Sequence, residues 1–228
     1  MDLKDLAARR ALETVQDGMV LGLGTGSTTA RFIEHLSQAL RAGRLHNIRA
    51  VPTSQRTEGL ARSLKIPLTN LKENPRLDLA VDGADEVDPS LNLIKGLGRA
   101  LLREKIVAVY ADCFVVMVDQ SKLVARLGSH GPLPVEMVRF EIEAQVEWLN
   151  KLGCRAEQWF EEDGTPVVTD NENYLARCWF EAGIADPYGL AELLAHRPGI
   201  VEHGLFLDMA HRVIIAGEEG VRIMERNA

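Results

Sequence analysis

Short apolar runs that alternate with helical segments constrain the fold of this chain more than any other feature. Four such runs, none with a regular polar alternation, occupy residues 19–23, 48–51, 77–81 and 114–118. The first three lead through a loop into a stretch with apolar residues at helical spacing. Strands of a parallel sheet that helices cover on both faces have this composition. The pattern therefore predicts an α/β fold whose functional residues lie in the loops after the strands.

The pattern changes after about residue 128, where Gly131-Pro132-Leu133-Pro134 interrupts it. Further elements are predicted beyond this break: a helix at 140–152, strands at 155–160 and 167–180, a helix at 187–195 behind Asp186 as N-cap, and a strand near 200–201. Runs at 204–207 and 212–215 then predict a return to the main sheet. We expect a Rossmann-like parallel-sheet main domain, residues 1–128 plus 204–228, and a smaller inserted α+β (ferredoxin-like) domain at 129–203.

Charge and hydropathy disfavour several classes of partner. The formal net charge of −7 argues against nonspecific binding to nucleic acid or to an anionic membrane, because the mean field repels polyanions. The longest apolar stretch, 106–118, is interrupted by Asp112 and is shorter than the roughly 20 residues of a membrane helix. The N-terminus predicts an amphipathic helix that Asp17-Gly18 closes, rather than a secretory signal, so we expect a cytoplasmic protein.

The cysteines and histidines give no indication of a metal site. Cys113, Cys154 and Cys178 are an odd number without a close C-x-x-C pair, and the six histidines lack ligand spacing. We interpret the cysteines as buried thiols and expect neither a metal ion nor a cofactor.

A glycine-rich loop follows the first predicted strand and reads Gly22-Leu23-Gly24-Thr25-Gly26-Ser27-Thr28-Thr29. At such a strand–loop–helix junction, exposed backbone N–H groups and the helix dipole form an anion site that fits a phosphate. The spacing is G-x-G-x-G and no lysine follows the last glycine, so nucleotide binding is weakly supported and a Walker A loop is excluded. The alternative is a turn with a Ser/Thr helix cap and no ligand.

Two carboxylates three residues apart follow the third predicted strand, in Val81-Asp82-Gly83-Ala84-Asp85-Glu86. In so short a loop, Asp82 and Asp85 can point into one pocket. Close carboxylates resist ionising together, so one can carry a proton while the other stays charged. Such a pair can move protons between sugar oxygens. An Asp-rich turn or a divalent-metal loop is the alternative.

Further charged residues follow at the same predicted edge of the sheet. Lys95-Gly96-Leu97-Gly98 precedes a helix whose first turns contain Arg103-Glu104-Lys105, and Lys122 lies just after the fourth strand. Because adjacent helix residues point in different directions, Glu104 can face the pocket while its neighbours reach solvent or structural partners. A solvated charge cluster and a surface lysine are the alternatives.

Together these segments resemble the type A ribose-5-phosphate isomerase family, and the match runs through most of the chain. The segments that carry the resemblance are Gly24-Thr25-Gly26-Ser27-Thr28, Val81-Asp82-Gly83-Ala84-Asp85-Glu86, Lys95-Gly96, Arg103-Glu104-Lys105-Ile106, Pro132-Leu133-Pro134-Val135-Glu136, Val168-Thr169-Asp170-Asn171 and Gly199-Ile200-Val201-Glu202-His203-Gly204-Leu205-Phe206. Several rare strings in the same order make this a specific signal.

The resemblance implies an enzyme that interconverts ribose 5-phosphate and ribulose 5-phosphate through an enediolate, with a pentose phosphate as its small-molecule partner. It implies that Thr25, Gly26, Ser27 and Thr28 hold the substrate, with Ser27 and Thr28 toward the phosphate and Lys4 assisting. The implied lining of the sugar pocket comprises Asp82, Gly83, Ala84, Asp85, Lys95, Gly96, Leu97, Gly98 and Lys122.

The resemblance also implies the catalytic roles. Glu104 is the implied base that moves a proton between C1 and C2. Either Asp82 or Asp85 then assists ring opening and proton transfer between O1 and O2, while Lys95 or loop N–H groups stabilise the oxyanion. The family further suggests a homodimer or a dimer of dimers.

The sequence departs from the family after Lys95, where Leu97 and Arg99 stand in a stretch that usually has more glycines. We expect Arg99 to face solvent. A sugar-phosphate sensor without catalysis is the main alternative, since a phosphate cradle serves binding equally well. An amino-sugar-phosphate deaminase or a coenzyme A transferase of similar fold is a third reading.

Overall fold

The computed structural model of this chain describes residues 2–226 and contains two compact units. Unit 1 comprises the described residues of Met1–Ala84, Arg103–Lys122 and Asp208–Ala228, and unit 2 comprises Asp85–Leu102 and Leu123–Leu207. The α-helices of the described residues are α1 (Leu3–Leu12), α2 (Ser27–Arg41), α3 (Gln55–Ser63), α4 (Leu101–Val109), α5 (Ile142–Asn150) and α6 (Pro187–Ala195). Their strands are β1 (Val20–Leu23), β2 (Arg49–Pro52), β3 (Leu79–Gly83), β4 (Glu86–Val87), β5 (Leu93–Ile94), β6 (Phe114–Asp119), β7 (Leu133–Met137), β8 (Arg155–Gln158), β9 (Tyr174–Trp179), β10 (Ile200–His203), β11 (Leu205–Phe206), β12 (Arg212–Gly217) and β13 (Gly220–Glu225).

Unit 1 is built on a six-stranded sheet with the strand order β13-β12-β6-β3-β1-β2. Every neighbouring pair from β12 to β2 is parallel, and β13 adds an antiparallel edge. Strands β1, β3 and β6 are buried along almost their whole length, which explains their unbroken apolar composition. The predicted α/β fold around a parallel sheet is therefore confirmed. Its edge strand β13 was missed, because its half-exposed residues give a weak apolar signal.

Small residues let α1 lie close to the rest of unit 1. Ala7, Ala8 and Ala11 are fully buried in the same apolar cluster as Phe32 and Leu36 of α2. The helix ends at Leu12, so the prediction that it extends to Asp17-Gly18 is wrong. The hydroxyl of Thr14 donates to the carbonyl of Ala11 at 2.7 Å, which favours a turn at this point.

Unit 2 contains two antiparallel sheets. Strands β7 to β10 form the larger one in the order β10-β7-β9-β8, and β11, β5 and β4 form the smaller one. Along the chain, the larger sheet and its helices follow the order β7, α5, β8, β9, α6, β10. The predicted N-cap of α6 is confirmed, because Asp186 accepts a bond from the N–H of Gly189. None of the helices within residues 2–226 is long and apolar enough to cross a membrane.

Two predictions about segments that lie in unit 2 were wrong. The run at 204–207 does not return to the main sheet, because Leu205 and Phe206 pair with Ile94 and Leu93 of β5. The later run was predicted correctly, since β12 lies in the main sheet. The stretch read as a chain break also contains β7, in which Pro134 occupies an interior position and accepts a bond from the N–H of Gly204 at 2.8 Å.

Candidate active site

The glycine-rich loop connects β1 to the N-terminus of α2 in unit 1. Gly26 is the N-cap residue, its φ is +145°, and no side chain among the described residues caps this end of the helix. The first turn also lacks an acidic residue. The N-terminal N–H groups of a helix of 15 residues, together with its dipole, therefore present positive charge beside Ser27 and Thr28.

A lysine reaches this helix end from α1. The Nζ of Lys4 donates to the hydroxyl of Ser27 at 2.8 Å. The structure thus joins two sequence-predicted residues that are far apart in the chain. It adds a full positive charge to the helix N-terminus, which is a favourable arrangement for a phosphate.

The side chain of Thr25 turns into a buried cluster of hydroxyl groups. Its Oγ1 lies 2.8 Å from Thr53 Oγ1, 2.8 Å from Ser54 Oγ and 3.1 Å from Thr57 Oγ1. Thr57 also donates to the carbonyl of Gly24 at 2.8 Å. This cluster fixes the shape of the loop. Sequence reasoning missed it, although Thr53 and Ser54 follow β2 at the loop-bearing edge of the sheet.

Asp82 ends β3 beside the same loop, and it is only 3% exposed. Its Oδ1 accepts bonds from the N–H of Thr25 at 3.1 Å, the hydroxyl of Thr29 at 3.2 Å and the N–H of Gly83 at 2.7 Å. The carboxylate is therefore held by the glycine-rich loop and by the first turn of α2. Thr29 belongs to this group and was not among the predicted site residues.

Helix α4 runs antiparallel to β1 and β3. At its C-terminal end, the carbonyl of Tyr110 accepts a bond from the N–H of Leu77, just before β3 starts. One turn earlier, Val107 packs on β1, where a Cβ added to Gly22 would lie 2.5 Å from its side chain. The N-terminal turn of α4 is consequently directed toward the carboxyl ends of these strands.

Glu104 lies on this turn, three residues before Val107 and thus on the same face of the helix. Glu104 is therefore one helical turn, roughly 5.4 Å, beyond Val107 in the direction of the strands' carboxyl ends. This displacement brings Glu104 toward Gly24 and Asp82. Glu104 is 3% exposed, whereas its neighbours Arg103 and Lys105 are half-exposed. Two buried carboxylates and the glycine-rich loop are therefore found at one edge of the unit 1 sheet.

Lys122 lies at the same edge, in a short 3-10 turn at Gln120–Lys122 that follows β6. Because β6 is the neighbour of β3 in the sheet, this turn is adjacent to the loop that follows Asp82. Lys122 is partly exposed and forms no ion pair with any other residue between 2 and 226. Its ammonium group is available to an anionic ligand.

Ala84 ends the unit 1 segment that contains β3, and unit 2 holds the remaining predicted residues, which are Asp85 and Lys95 to Gly98. The carboxylate of Asp85 accepts a bond from the N–H of Leu97 at 3.0 Å, and the N–H of Asp85 donates to the carbonyl of Ile94 at 2.8 Å. These two bonds tie Asp85 to the segment that contains Gly96 and Gly98. The backbone of Gly96 has a φ of +114°, and an added Cβ would lie 2.8 Å from Leu101.

Lys95 is almost completely buried in unit 2, at 2% exposure. Its N–H donates to the carbonyl of Gly204 at 2.9 Å, and its Nζ lies 5.4 Å from the ring centroid of Phe206. A buried ammonium group on a fixed backbone is a suitable group for stabilising a developing oxyanion.

Arg99 lies at the surface, as expected, with 39% of its side chain exposed, and the structure adds two partners that the sequence did not indicate. Its side chain forms an ion pair with Glu161 through both guanidinium Nη atoms, and its guanidinium lies 5.2 Å from the ring centroid of Trp159. An arginine can donate hydrogen bonds to a carboxylate and stack its planar guanidinium on an aromatic ring. These two contacts hold the Arg99 side chain at the surface of unit 2.

Glu86 serves the structure of unit 2. It is 2% exposed and accepts bonds from the N–H groups of Gly128, His130 and Gly131. In the described part of the chain, no group of three or more His, Cys, Asp or Glu side chains is arranged to hold a metal ion.

Comparison with known proteins gives a consistent set of relatives. The model of the family described as ribose 5-phosphate isomerase A (phosphoriboisomerase A) matches residues 49–220. The chain is 51% identical over 219 residues to ribose-5-phosphate isomerase A of Roseiflexus castenholzii, covering 96% of this chain and 93% of that protein. It is 48% identical over 230 residues to the probable ribose-5-phosphate isomerase 3, chloroplastic, of Arabidopsis thaliana, covering 99% and 83%.

Solved structures agree with these relatives. One is a D-ribose-5-phosphate isomerase in complex with phospho-erythronic acid, with a TM-score of 0.96, 43% identity, and coverage of 99% of this chain and 98% of that chain. Another is the ribose 5-phosphate isomerase of Plasmodium falciparum, with a TM-score of 0.96, 36% identity and coverage of 99% of each chain.

Proposed function

Because the chain belongs to the ribose 5-phosphate isomerase A family, we propose that the carboxyl edge of its unit 1 sheet is an isomerase active site. The chain is an aldose-ketose isomerase that interconverts D-ribose 5-phosphate and D-ribulose 5-phosphate, a reaction of the non-oxidative pentose phosphate pathway. One observation carries the assignment of the site. Two buried carboxylates, Glu104 and Asp82, lie at the carboxyl edge of the sheet, where the N-terminus of α2 has no side-chain cap among the described residues.

The substrate phosphate binds at the N-terminus of α2. Ser27, Thr28 and the N–H groups of the first helical turn donate to its oxygens, and Lys4 adds a positive charge 2.8 Å from the hydroxyl of Ser27. Lys122 contributes a second cation from the neighbouring loop. A similar solved isomerase binds phospho-erythronic acid, a sugar-acid phosphate, which supports the same ligand class here.

Glu104 acts as the base. Its carboxylate removes the proton from C2 of the open-chain aldose, and the electron pair of that C–H bond forms the C1–C2 double bond. The carbonyl electrons move to O1, which becomes the enediolate oxygen. Glu104 then returns its proton to C1, while O2 loses its proton and becomes the ketose carbonyl. Burial excludes water and keeps the abstracted proton from being lost.

Asp82, Asp85 and Lys95 act on the sugar oxygens. Either aspartate assists ring opening and carries the proton between O1 and O2, and Lys95 stabilises the negative charge on the enediolate oxygen. The family supports these roles, since all three belong to the motifs that carry the resemblance. The segment Gly96-Leu97-Gly98 lines the pocket beside Lys95.

Substitution of Glu104 by Gln tests the proposal. E104Q keeps the side-chain size but removes the base, so kcat should fall by about 10²- to 10⁴-fold while phospho-erythronic acid still binds. Turnover is measured as ribulose 5-phosphate formed from ribose 5-phosphate, and binding by calorimetry. E147Q is the control, because Glu147 is an exposed residue of α5 paired only with Lys151. Near-normal turnover of E104Q would exclude Glu104 as the base.

The same assay discriminates isomerase from sensor. Wild-type protein treated with a chelator should retain its full turnover, because no step above uses a metal ion. The family disfavours the sensor alternative. Binding of ribose 5-phosphate without turnover in the chelator-treated sample would favour the sensor function instead.

The domain organisation extends the proposal. The proposed inserted ferredoxin-like domain comprises residues 129–203, and the proposed catalytic domain comprises residues 1–128 with 204–228. These boundaries differ from those of the compact units, because unit 2 also includes Asp85–Leu102 and extends over Leu123–Leu207. The order β7, α5, β8, β9, α6, β10 supports this fold. Limited proteolysis with cleavage sites read by mass spectrometry tests the boundaries, and cleavage confined to other loops would oppose them.

The family resemblance suggests a homodimer or a dimer of dimers, and we further propose a cytoplasmic location. The net charge of −7 opposes nucleic-acid and anionic-membrane partners. Light scattering on the purified protein measures the assembly, and a monomeric mass would oppose it. Cell fractionation tests the location.

A further inference from the structure

Arg99 directly follows the segment Lys95–Gly98, whose lysine is the proposed oxyanion-stabilising residue. Its backbone has a φ of +65°, in the left-handed region that non-glycine residues rarely adopt, and its N–H donates to the carbonyl of Gly96 at 2.9 Å. A residue in this conformation needs support from its surroundings. The side chain of Arg99 provides contacts that can supply it.

The guanidinium of Arg99 has two partners in the segment of unit 2 that follows β8. One nitrogen donates to Glu161 Oε2 at 2.9 Å, and the other donates to Glu161 Oε1. Trp159 lies beneath it, with its ring centroid 5.2 Å away. A single exposed ion pair contributes little, but a two-point pair that also stacks on an aromatic ring has a defined geometry.

Trp159 also shares an apolar cluster with the start of α4. It belongs to an apolar cluster with Leu101 and Leu102, the first two residues of that helix, and with the buried Val167 and Leu175. Leu101 in turn lies where a Cβ on Gly96 would be 2.8 Å from it. One tryptophan therefore contacts the side chain that ends the lysine segment and belongs to the same apolar cluster as the residues that begin α4.

The sheet beneath Trp159 makes it a fixed surface. Arg177 of β9 lies between two rings, 5.1 Å from the centroid of Trp159 and 5.0 Å from that of Trp179. Arg155 stacks on Trp179 at 4.2 Å, at the end of this row far from Arg99. Glu157 pairs with both Arg155 and Arg177.

We propose that Arg99, Trp159 and Glu161 form a clasp that positions the Lys95–Gly98 segment and the first turn of α4 for isomerisation. The three are positioning residues, since the role acts through Lys95 and Glu104, and the inference rests on the proposed function of those two residues. The clasp supplies, through side-chain contacts, the support that the left-handed backbone conformation of Arg99 needs.

The variants R99A and R155A test the clasp as a matched pair. Each removes one arginine of unit 2 that stacks on a tryptophan and pairs with a glutamate, but only Arg99 is attached to the lysine segment. R99A should lower kcat/KM by about 10- to 100-fold, because small displacements of catalytic groups are costly. R155A should leave both kcat and KM unchanged. An equal loss in the two variants would overturn the clasp.

Hydrogen exchange gives a readout that does not depend on activity. The amides of residues 95–102 should exchange faster in R99A than in wild type and stay unchanged in R155A. The double variant R99E/E161R, which restores the ion pair with reversed charges, should recover part of the lost kcat/KM. Protection at 95–102 that is identical in all variants would overturn the clasp, even if E104Q had already shown Glu104 to be the base. Inactive wild-type protein would instead refute the proposed function.

Discussion

Gly24 is a position where the backbone of the glycine-rich loop passes very close to a carboxylate. A Cβ at this residue would lie 1.9 Å from Cγ of Asp82. The Asp82 side chain cannot easily move away, because it is buried and its Oδ1 accepts hydrogen bonds from Thr25, Thr29 and Gly83. Glycine here is a steric requirement of the site, since any side chain would displace the aspartate or the loop.

The variant G24A should therefore lose activity by about 10²-fold, because either Asp82 or the loop must move. Its free energy of unfolding should fall by about 1–3 kcal/mol through overpacking. Steady-state kinetics and urea unfolding measure the two effects. G59A is the control: an added Cβ on this helical glycine meets nothing within 4 Å, and alanine should stabilise α3 by about 0.5–1 kcal/mol. An active G24A would show that Asp82 is not needed where it lies.

At the scale of elements, α1 is fixed to α2 by polar contacts as well as by its alanines. The carboxylate of Asp5 lies 2.6 Å from Nε2 of His35 and 2.7 Å from Nε of Arg9. The hydrogen bond from Arg9, followed by that from His35, lowers the pKa of Asp5 below its usual value. Because Lys4 precedes Asp5 on the same helix, these contacts also hold the lysine beside Ser27.

The lowered pKa of Asp5 has a definite consequence for stability. A carboxyl whose folded pKa is depressed stabilises the protein above its unfolded pKa of about 3.9, and the contribution disappears as the pH falls through the folded value. D5N should therefore be less stable than wild type at pH 7, and the difference should shrink below about pH 4. Urea unfolding across this range measures it. E34Q on α2 is the control, and a D5N deficit that persists unchanged in acid would contradict the explanation.

At the scale of the whole molecule, each unit has its own core, and unit 2 encloses a carboxylate without any exposed surface. Glu136 of β7 is 0% exposed. Its Oε1 accepts bonds from the hydroxyl of Thr169 at 2.9 Å and from the amides of Asn171 at 3.2 Å and Asn173 at 2.9 Å. One buried side chain thus ties an interior strand of the larger sheet to the turn that precedes β9.

Removing this acceptor should destabilise unit 2. E136L deprives three donors of their shared oxygen, so the free energy of unfolding should fall by about 2–4 kcal/mol. E136Q is the matched variant, because it keeps the size of the side chain and one acceptor oxygen, and it should lose less. Urea unfolding monitored by tryptophan fluorescence reports on unit 2 through Trp148, Trp159 and Trp179. Equal stability of E136L and wild type would refute this role of Glu136.

Local signals in the sequence determined the main sheet and the location of the glycine-rich loop after β1. An apolar run such as Phe114–Asp119 indicates a strand that is buried on both faces. An Asp just before a helix, such as Asp186, indicates the N-cap of that helix. Each signal depends on residues close in the chain, which is why it can be read without the fold. The motif residues at the ends of β1 and β3 follow from the same rule, because parallel strands end at one edge.

Only the tertiary structure decided which distant residues meet. Nothing local indicates that Lys4 reaches Ser27, that Thr25 joins the hydroxyls after β2, or that Leu205 pairs with β5. Arg99 is the clearest case. A charged residue beside glycines predicts only a solvent-facing side chain, and its contacts with Glu161 and Trp159 follow from the tertiary structure. The physical reason is that hydrogen bonds, stacking and close packing depend on distance in space, which chain spacing does not fix.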